Sequence, residues 1–280
     1  MTYMDISAKT KLLAIIGDPI EHSRSPQMQT EFCRLCGYDA IYTAFDVKPE
    51  MLGAAIDGVR ALGIRGVNVT SPHKDNVVKY LDRLADEAAL YGSVNTVVNE
   101  NGELVGYNTD ARGFYQSLIS AGIEIAGRDV LIFGAGGATQ PVAVLFAKKG
   151  VRSLTIINRS ADRAKRLADY VFEKTGFSVD TGRRLAHYDV VINTTTAGMA
   201  PQLGVLPSED IDFIDSDTAC ADMIYNPPRT KFLQEAKRRG ARTVNGLGML
   251  IYQGIFAFEH FSGMQLSGEA YEIAKKAVLS

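Results

Sequence analysis

A glycine cluster, Gly134-Ala-Gly-Gly-Ala138, follows the short apolar run Asp129-Val-Leu-Ile-Phe133 and precedes a helical pattern from Thr139 to Lys149. Glycines at such a strand-to-helix turn let the backbone come close to a pyrophosphate. The N–H groups and positive dipole end of the next helix then face its charge. Pro141 falls in the first turn, where N–H groups lack helical partners anyway. Gly134 and Gly136 hold the first two places of G-x-G-x-x-G, and Thr139 holds the third. The plain alternative is a glycine-rich turn that binds nothing; the strand and helix on either side argue for a nucleotide. The next strand, Leu154-Thr-Ile-Ile157, runs into Asn158-Arg159-Ser160 and then Arg163. An NAD site wants an acidic residue about 20 residues on, to accept from the ribose 2′-OH. Two guanidiniums one helical turn apart suit a 2′-phosphate instead, through charge-assisted bonds. The expected cofactor is NADP.

A second set of candidates lies in the first 110 residues. The loop Gly17-Asp-Pro-Ile-Glu-His-Ser-Arg-Ser-Pro26 sets Ser23 and Ser25 around Arg24. Ser25 followed by Pro26 reads as a helix N-cap and first helical residue, and Gly37 closes that helix. The two hydroxyls are also placed to meet an anion at a helix N-terminus. The strand Ile64 to Val69 ends in Asn68-Val-Thr-Ser-Pro-His-Lys74, and Lys74 is expected to open the next helix. A cation is unfavourable there. Either the position is exposed and the charge incidental, or the helix field assists a proton transfer. Asp110 begins a helix through Leu118, and its plain reading is an N-cap.

The elements that must position these groups follow a simple order. Strands Leu12 to Gly17, Ile41 to Val47 and Ile64 to Val69 alternate with helices, the second from Pro49 to Leu62. This β-α-β-α order predicts a parallel sheet with polar groups gathered at strand C-termini. Val94 to Val98 and Glu103 to Tyr107 flank Glu100-Asn-Gly102 and read as a hairpin. The nucleotide-binding half starts near Gly127. Strands Asp189 to Asn193 and Ala219 to Tyr225 follow, then a helix Thr230 to Arg239 stopped by Gly240. Val244 to Leu250 leads into a long apolar helix to about Phe261, and a last helix runs from Ser267 to Val278.

Composition narrows the classes. A chain of 280 residues allows one large or two ordinary domains. A net charge of −2 gives no reason to expect nucleic-acid binding. No apolar run approaches the ~18 residues of a membrane span. The first ten residues, with Asp5 and no apolar core, do not read as a secretory signal, so the cytoplasm is expected. Cys33 and Cys36 form a C-x-x-C without two further zinc ligands at matching spacing. Met28, Phe32, Leu35 and Cys36 share one helix face, so the pair is expected to be buried and apolar. His22, His73, His187 and His260 show no ligand spacing, and no metal is expected.

Taken in order, the loops resemble the shikimate dehydrogenase family from Leu12 to about Gly263. The motifs are G-D-P-I-x-H-S-x-S-P, N-V-T-x-P-x-K, V-N-T, N-T-D, G-A-G-G-A, N-R-S, an N-x-T-x-x-G-M type of loop, D-M-x-Y-x-P and N-G-L-G-M-L-x-x-Q. Each is weak alone; together they are specific. The resemblance implies two α/β domains: a substrate-binding domain, 1–111 completed by helices 252–280, and a Rossmann NADP-binding domain, 112–251. It implies that Ser23, Ser25 and Thr70 hold the substrate, and that Asn95, Asp110, Tyr225 and Gln253 contact its hydroxyls and ring. Lys74, paired with Asp110, would move the proton. Gly134, Ala135, Gly136, Gly137 and Ala138 would take the pyrophosphate, and Asn158, Arg159, Ser160 and Arg163 the 2′-phosphate. Met223 and Gly246 would lie near the nicotinamide half, with Asp86 close to the cofactor. The implied activity is NADP-dependent interconversion of 3-dehydroshikimate and shikimate by a monomer or homodimer. Two departures bear on substrate range: Gln29-Thr30 stands where the family commonly has His-Asn, and Ser71 where an apolar residue is usual. Gln29 is similar to the quinate-accepting branch. The rival readings are therefore a quinate/shikimate or aminoshikimate dehydrogenase and a non-catalytic NADP-binding regulator.

Overall fold

The computed structural model describes residues 6–182 and 186–280; Asp5 lies outside them. The chain divides into two compact units, Met1–Thr109 with Gln253–Ser280, and Asp110–Tyr252.

The first unit is built on β1 (Lys11–Gly17), α1 (Ser25–Cys36), β2 (Ala40–Asp46), α2 (Leu52–Ala61), β3 (Gly66–Val69), β4 (Arg83–Leu84), α3 (Asp86–Tyr91), β5 (Thr96–Glu100) and β6 (Glu103–Tyr107). Its sheet runs β2-β1-β3-β5-β6-β4. β1 pairs in parallel with β2 and β3, but β5 is antiparallel to β3 and to β6, so the sheet is mixed rather than parallel throughout. The hairpin accounts for the β5–β6 pair: Asn101 and Gly102 both take positive φ, the geometry of a tight two-residue turn, and reverse the chain. Alternation along β1 separates two layers. Ala14 and Ile16 join Leu52, Ile56 and Val59 of α2 on one face. On the other, the C-terminal helices return, with Phe32 of α1 against Phe258 at 5.7 Å between ring centroids.

Several local expectations change. The helix expected from Pro49 splits into a 3-10 turn, Pro49–Met51, and α2. No α-helix opens at Lys74. Residues 71–75 form turns, and only a 3-10 helix, Asn76–Tyr80, follows. That segment, Asn-Val-Val-Lys-Tyr, is short and rich in β-branched and aromatic residues, which are poor helix formers. The helix-field explanation for Lys74 therefore falls. In α1 the buried residues are Ser25, Met28, Gln29, Phe32 and Cys33, while Cys36 is only partly covered. Burial, with Cys36 nearby, pushes the Cys33 thiol up to about 12.

The second unit holds α4 (Asp110–Ser120), β7 (Asp129–Phe133), α5 (Thr139–Lys148), β8 (Ser153–Ile157), α6 (Ala161–Thr175), β9 (Val190–Asn193), β10 (Ala219–Asp222), α7 (Lys231–Arg238) and β11 (Arg242–Val244). The sheet is wholly parallel, in the order β11-β10-β9-β7-β8. The order reverses at β7, the switch point where open α/β sheets bind nucleotides. Between β9 and β10, Ile211, Phe213 and Ile214 from an irregular segment fill the core against Phe232 and Leu233 of α7. The division between units falls within α8 (Leu247–Ser262), and α9 (Ala270–Leu279) packs on α1. Among the described residues, no helix is long and apolar enough to cross a membrane.

Candidate functional site

In the first unit the carboxyl ends of β1, β2 and β3 are tied by backbone bonds. Asp18 N–H donates to Ser71 O (3.1 Å), Val47 N–H to Gly17 O (3.0 Å) and Thr70 N–H to Ile16 O (2.9 Å). Buried His73 donates from Nε2 to Val47 O at 2.7 Å. Val94 N–H donates to Lys74 O at 2.9 Å. The turn carrying Thr70 and the partly buried Lys74 is thus fixed by backbone bonds and the His73 side chain, without a helix.

Ser25 is the first residue of α1, and Arg24, not Ser25, holds the N-cap place without a side-chain cap bond. The Ser25 N–H instead donates to Ser23 Oγ at 3.3 Å, which brings the two serines together. The Ser25 hydroxyl bonds Tyr42, whose phenol is pushed well up by burial and so remains a donor. Tyr42 Oη donates to Asn68 Oδ1 (2.7 Å), Asn68 Nδ2 to Thr96 Oγ1 (3.1 Å), and Thr96 Oγ1 to Asn95 Oδ1 (3.0 Å). Asn95 Oδ1 also accepts from Thr109 N–H (2.8 Å), while its Nδ2 donates to Thr109 Oγ1 (2.9 Å). This buried chain of hydrogen bonds runs from Ser25 to the residue before Asp110. Paired throughout, it holds α1, β2, β3 and β5 in one arrangement. Sequence reasoning assigned Ser25 and Asn95, quoted Asn68, Thr96 and Thr109 only within motifs, and missed Tyr42. Polar residues inside the apolar strands Gly66–Val69 and Thr96–Glu100 were the available signal; Tyr42 left none.

Asp110 is buried and forms the first residue of α4, one place inside the cap position. Asp86 is exposed at the start of α3, and Gln253 is partly buried in α8. Gln29 is 1% exposed; its Nε2 donates to Gly254 O at 2.9 Å, beside Gln253.

In the second unit, Gly134 has φ +114° and donates its N–H to Ile157 O at 2.8 Å. A Cβ there would overlap Thr194 Oγ1. Thr139, in the third glycine place, is buried and joins a chain of hydroxyls. Gly136 N–H donates to Thr139 Oγ1 (3.2 Å), which bonds Thr194 Oγ1 (2.7 Å), which donates to Phe133 O (2.8 Å). The departure from three glycines is therefore a bonded substitute that closes the helix onto the strand ends. Asn158 Oδ1 accepts from Ala135 N–H at 3.2 Å, and its Nδ2 donates to Ser160 O at 3.0 Å. Ser160 caps α6 by accepting from Arg163 N–H. Asn158 and Ser160 thus shape the loop that presents Arg159 and Arg163, both exposed. These residues fit a dinucleotide. Among the described residues the N–H groups of Gly137 and Ala138 meet no acceptor, the space where a Gly136 Cβ would stand is open, and two cations stand at the end of β8.

The turn after β10 carries Met223 and Tyr225, both partly buried. Met223 N–H donates to Asn193 O (3.0 Å) and Gly246 N–H to Ile224 O (3.0 Å). A Cβ at Gly246 would strike the carbonyl of Met223, which is backbone and cannot rotate away. Gly246→Ala is expected to cost about 1–3 kcal/mol through overpacking, read as a lowered Tm. An unchanged Tm would mean that the Met223 turn yields freely.

Three family models match: "Shikimate dehydrogenase substrate binding domain" over residues 15–97, "Shikimate / quinate 5-dehydrogenase" over 117–204 and "Shikimate 5'-dehydrogenase C-terminal domain" over 246–279. A shikimate dehydrogenase (NADP(+)) of Carboxydothermus hydrogenoformans is 42% identical, covering 98% of this chain and 99% of its own. A crystal structure of a shikimate dehydrogenase in complex with NADP+ superposes with a TM-score of 0.92 at 40% identity, covering 98% of this chain and 96% of its own. A shikimate 5-dehydrogenase from Listeria monocytogenes in complex with shikimate and NAD gives 0.90 at 34%, covering 97% of each chain.

Proposed function

The chain belongs to the shikimate dehydrogenase family, and we propose that Lys74 and Asp110 carry the proton in the reaction that defines it. That reaction is the reversible, NADP-dependent reduction of 3-dehydroshikimate to shikimate, a step toward the aromatic amino acids. Bound NADPH supplies a hydride to the carbonyl carbon. The chain must orient the substrate and deliver a proton to the oxygen. The Lys74 ammonium stabilises the forming alkoxide and donates to it; in the reverse direction the neutral amine takes the alcohol proton. Asp110 orients a ring hydroxyl and the ammonium. Ser23, Ser25 and Thr70 hold the substrate, the serines at its carboxylate; Asn95, Tyr225 and Gln253 meet its hydroxyls and ring. Gly134 to Ala138 take the pyrophosphate, Asn158, Arg159, Ser160 and Arg163 the 2′-phosphate, Met223 and Gly246 the nicotinamide half, and Asp86 lies close to the cofactor.

The observation that carries this reading is the buried hydrogen-bond chain from Ser25 to Thr109. It joins residues of four separate motifs and leads to Asp110. A cytoplasmic location fits the three free thiols Cys33, Cys36 and Cys220, and the assembly is a monomer or homodimer.

A broader substrate range is the second reading, and Gln29 favours it. Its Oε1 is buried and accepts no hydrogen bond from the described residues. An acceptor one helical turn from Ser25 suits an additional substrate hydroxyl. Absorbance at the reduced-nicotinamide band, comparing shikimate with quinate, each with NADP and with NAD, tests both. The expected result is turnover led by shikimate with NADP. Comparable rates with quinate would establish the second reading, and no turnover with any pair would defeat both.

A further inference from the structure

Asp222, the last residue of β10, is 0% exposed and has no part in the chemistry described above. Its Oδ1 accepts from Ile224 N–H at 2.9 Å and from Asn193 Nδ2 at 3.2 Å; its Oδ2 accepts from the Thr230 hydroxyl at 2.7 Å. All three partners are neutral donors, and two have a fixed direction: the Ile224 N–H is backbone, and the Asn193 amide is held from behind. Asn193 Oδ1 accepts from the N–H and hydroxyl of Thr195, which leaves its Nδ2 toward Asp222. Thr230 Oγ1 accepts from Leu233 N–H and donates to the carboxyl. A protonated carboxyl could place its hydrogen only on Thr230 Oγ1, reversing that bond, because the other two partners are donors alone. Thr230 is also the N-cap of α7, so the positive end of that helix lies at the carboxyl. Burial opposes ionisation and raises the group above its ordinary range; the donors and the helix end oppose that shift.

We propose that Asp222 is a buried anion that favours the oxidised, positively charged nicotinamide over the reduced, neutral one. The proposal rests on the reading that Met223 and Gly246 lie at the nicotinamide half. Met223 is the next residue, with its N–H held by Asn193 O and its carbonyl packed on Gly246. The two redox forms of the cofactor differ in charge at the ring alone. A fixed anion on the neighbouring turn therefore acts on one form, and in a water-poor interior it is weakly screened. Its effect pulls the enzyme-bound equilibrium toward oxidised cofactor and alcohol, the direction of ketone reduction.

The test compares dissociation constants of NADP+, NADPH and 2′,5′-ADP for the wild type and Asp222→Asn. Affinity for NADP+ is expected to fall about five- to tenfold relative to NADPH. Affinity for 2′,5′-ADP, which has no nicotinamide, is expected to stay the same. An unchanged NADP+/NADPH ratio overturns the proposal, and so does an equal loss for all three ligands, which marks a merely structural role. Met223→Ala separates the two layers of the argument. If that variant alters NADPH binding or hydride-transfer rate while the Asp222→Asn ratio holds, the charge inference alone fails. If Met223→Ala changes neither, the placement of the nicotinamide fails. Should Asp222→Asn not fold, the carboxyl 13C shift of Asp222 in the wild type decides: ionised at neutral pH supports the proposal, protonated overturns it.

Discussion

Lys74→Ala is expected to lower kcat by about 10²–10⁴ while leaving the affinity for NADP within a few-fold of wild type. The expectation follows from what the rest of the turn does without that side chain. Thr70 O accepts from His73 N–H, His73 Nε2 donates to Val47 O, and Val94 N–H donates to the backbone carbonyl of Lys74. None of these bonds uses the ammonium, so the turn keeps its backbone fastenings in the variant, and a loss of rate reports chemistry rather than folding. Lys74→Arg sharpens the test. It keeps the positive charge, but arginine is always protonated and cannot take the alcohol proton. If Lys74 is only an electrostatic anchor, Lys74→Arg recovers most of the rate. If it moves the proton, shikimate oxidation stays low in both variants. A Lys74→Ala enzyme within tenfold of wild type would remove Lys74 from the mechanism.

The same turn shows where sequence reasoning stops. The polar ends of apolar strands located Thr70 and Lys74, because a parallel strand gathers its functional groups at its carboxyl end. What lay beyond was misread. Asn76–Tyr80 is too short and too β-branched to sustain an α-helix, and the backbone of Lys74 is held instead by Val94, twenty residues away. The hairpin at Asn101-Gly102 was legible, since its turn chemistry is local; β4 and α3, two and six residues long, were not anticipated.

Long-range polar pairing was the part hidden from the sequence. Tyr42 alternates correctly within Ala40–Asp46, which assigns it a face but no partner. Its partner Asn68 lies on β3, across β1, and only the registers Leu13↔Tyr42 and Ile15↔Asn68 bring the two side chains together. Thr139 is a second case. As a mismatch to G-x-G-x-x-G it weakened the nucleotide reading, yet the register Phe133↔Asn193 brings Thr194 to it and supplies the bond that a glycine place does not need. Motif spacing records which backbone approaches are required. It does not record which side chains replace them.

Cofactor choice rests on a smaller constellation, and there a single change is expected to act selectively. Arg159→Ala should weaken NADP about tenfold to a hundredfold, the worth of one hydrogen bond to a charged group, and NAD by no more than about twofold. The backbone around Arg159 is anchored on both sides by other groups: Asn158 by Ala135 N–H, and Ser160 as the cap of α6. Deleting the guanidinium therefore removes charge without loosening the loop. Arg159 and Arg163 are exposed and enter none of the ion pairs among the described residues. Their attraction to a phosphate should then be screened by salt, so the NADP preference of the wild type should shrink as ionic strength rises and that of Arg159→Ala should change less. Arg159→Ala/Arg163→Ala together should bring the two cofactors close to parity, because the residue that follows β8 is Asn158 and not a carboxylate that would favour the free ribose hydroxyl. Equal losses for NADP and NAD in Arg159→Ala would show that the guanidinium acts on the shared part of the cofactor, and the source of the 2′-phosphate preference would have to be sought elsewhere in the second unit.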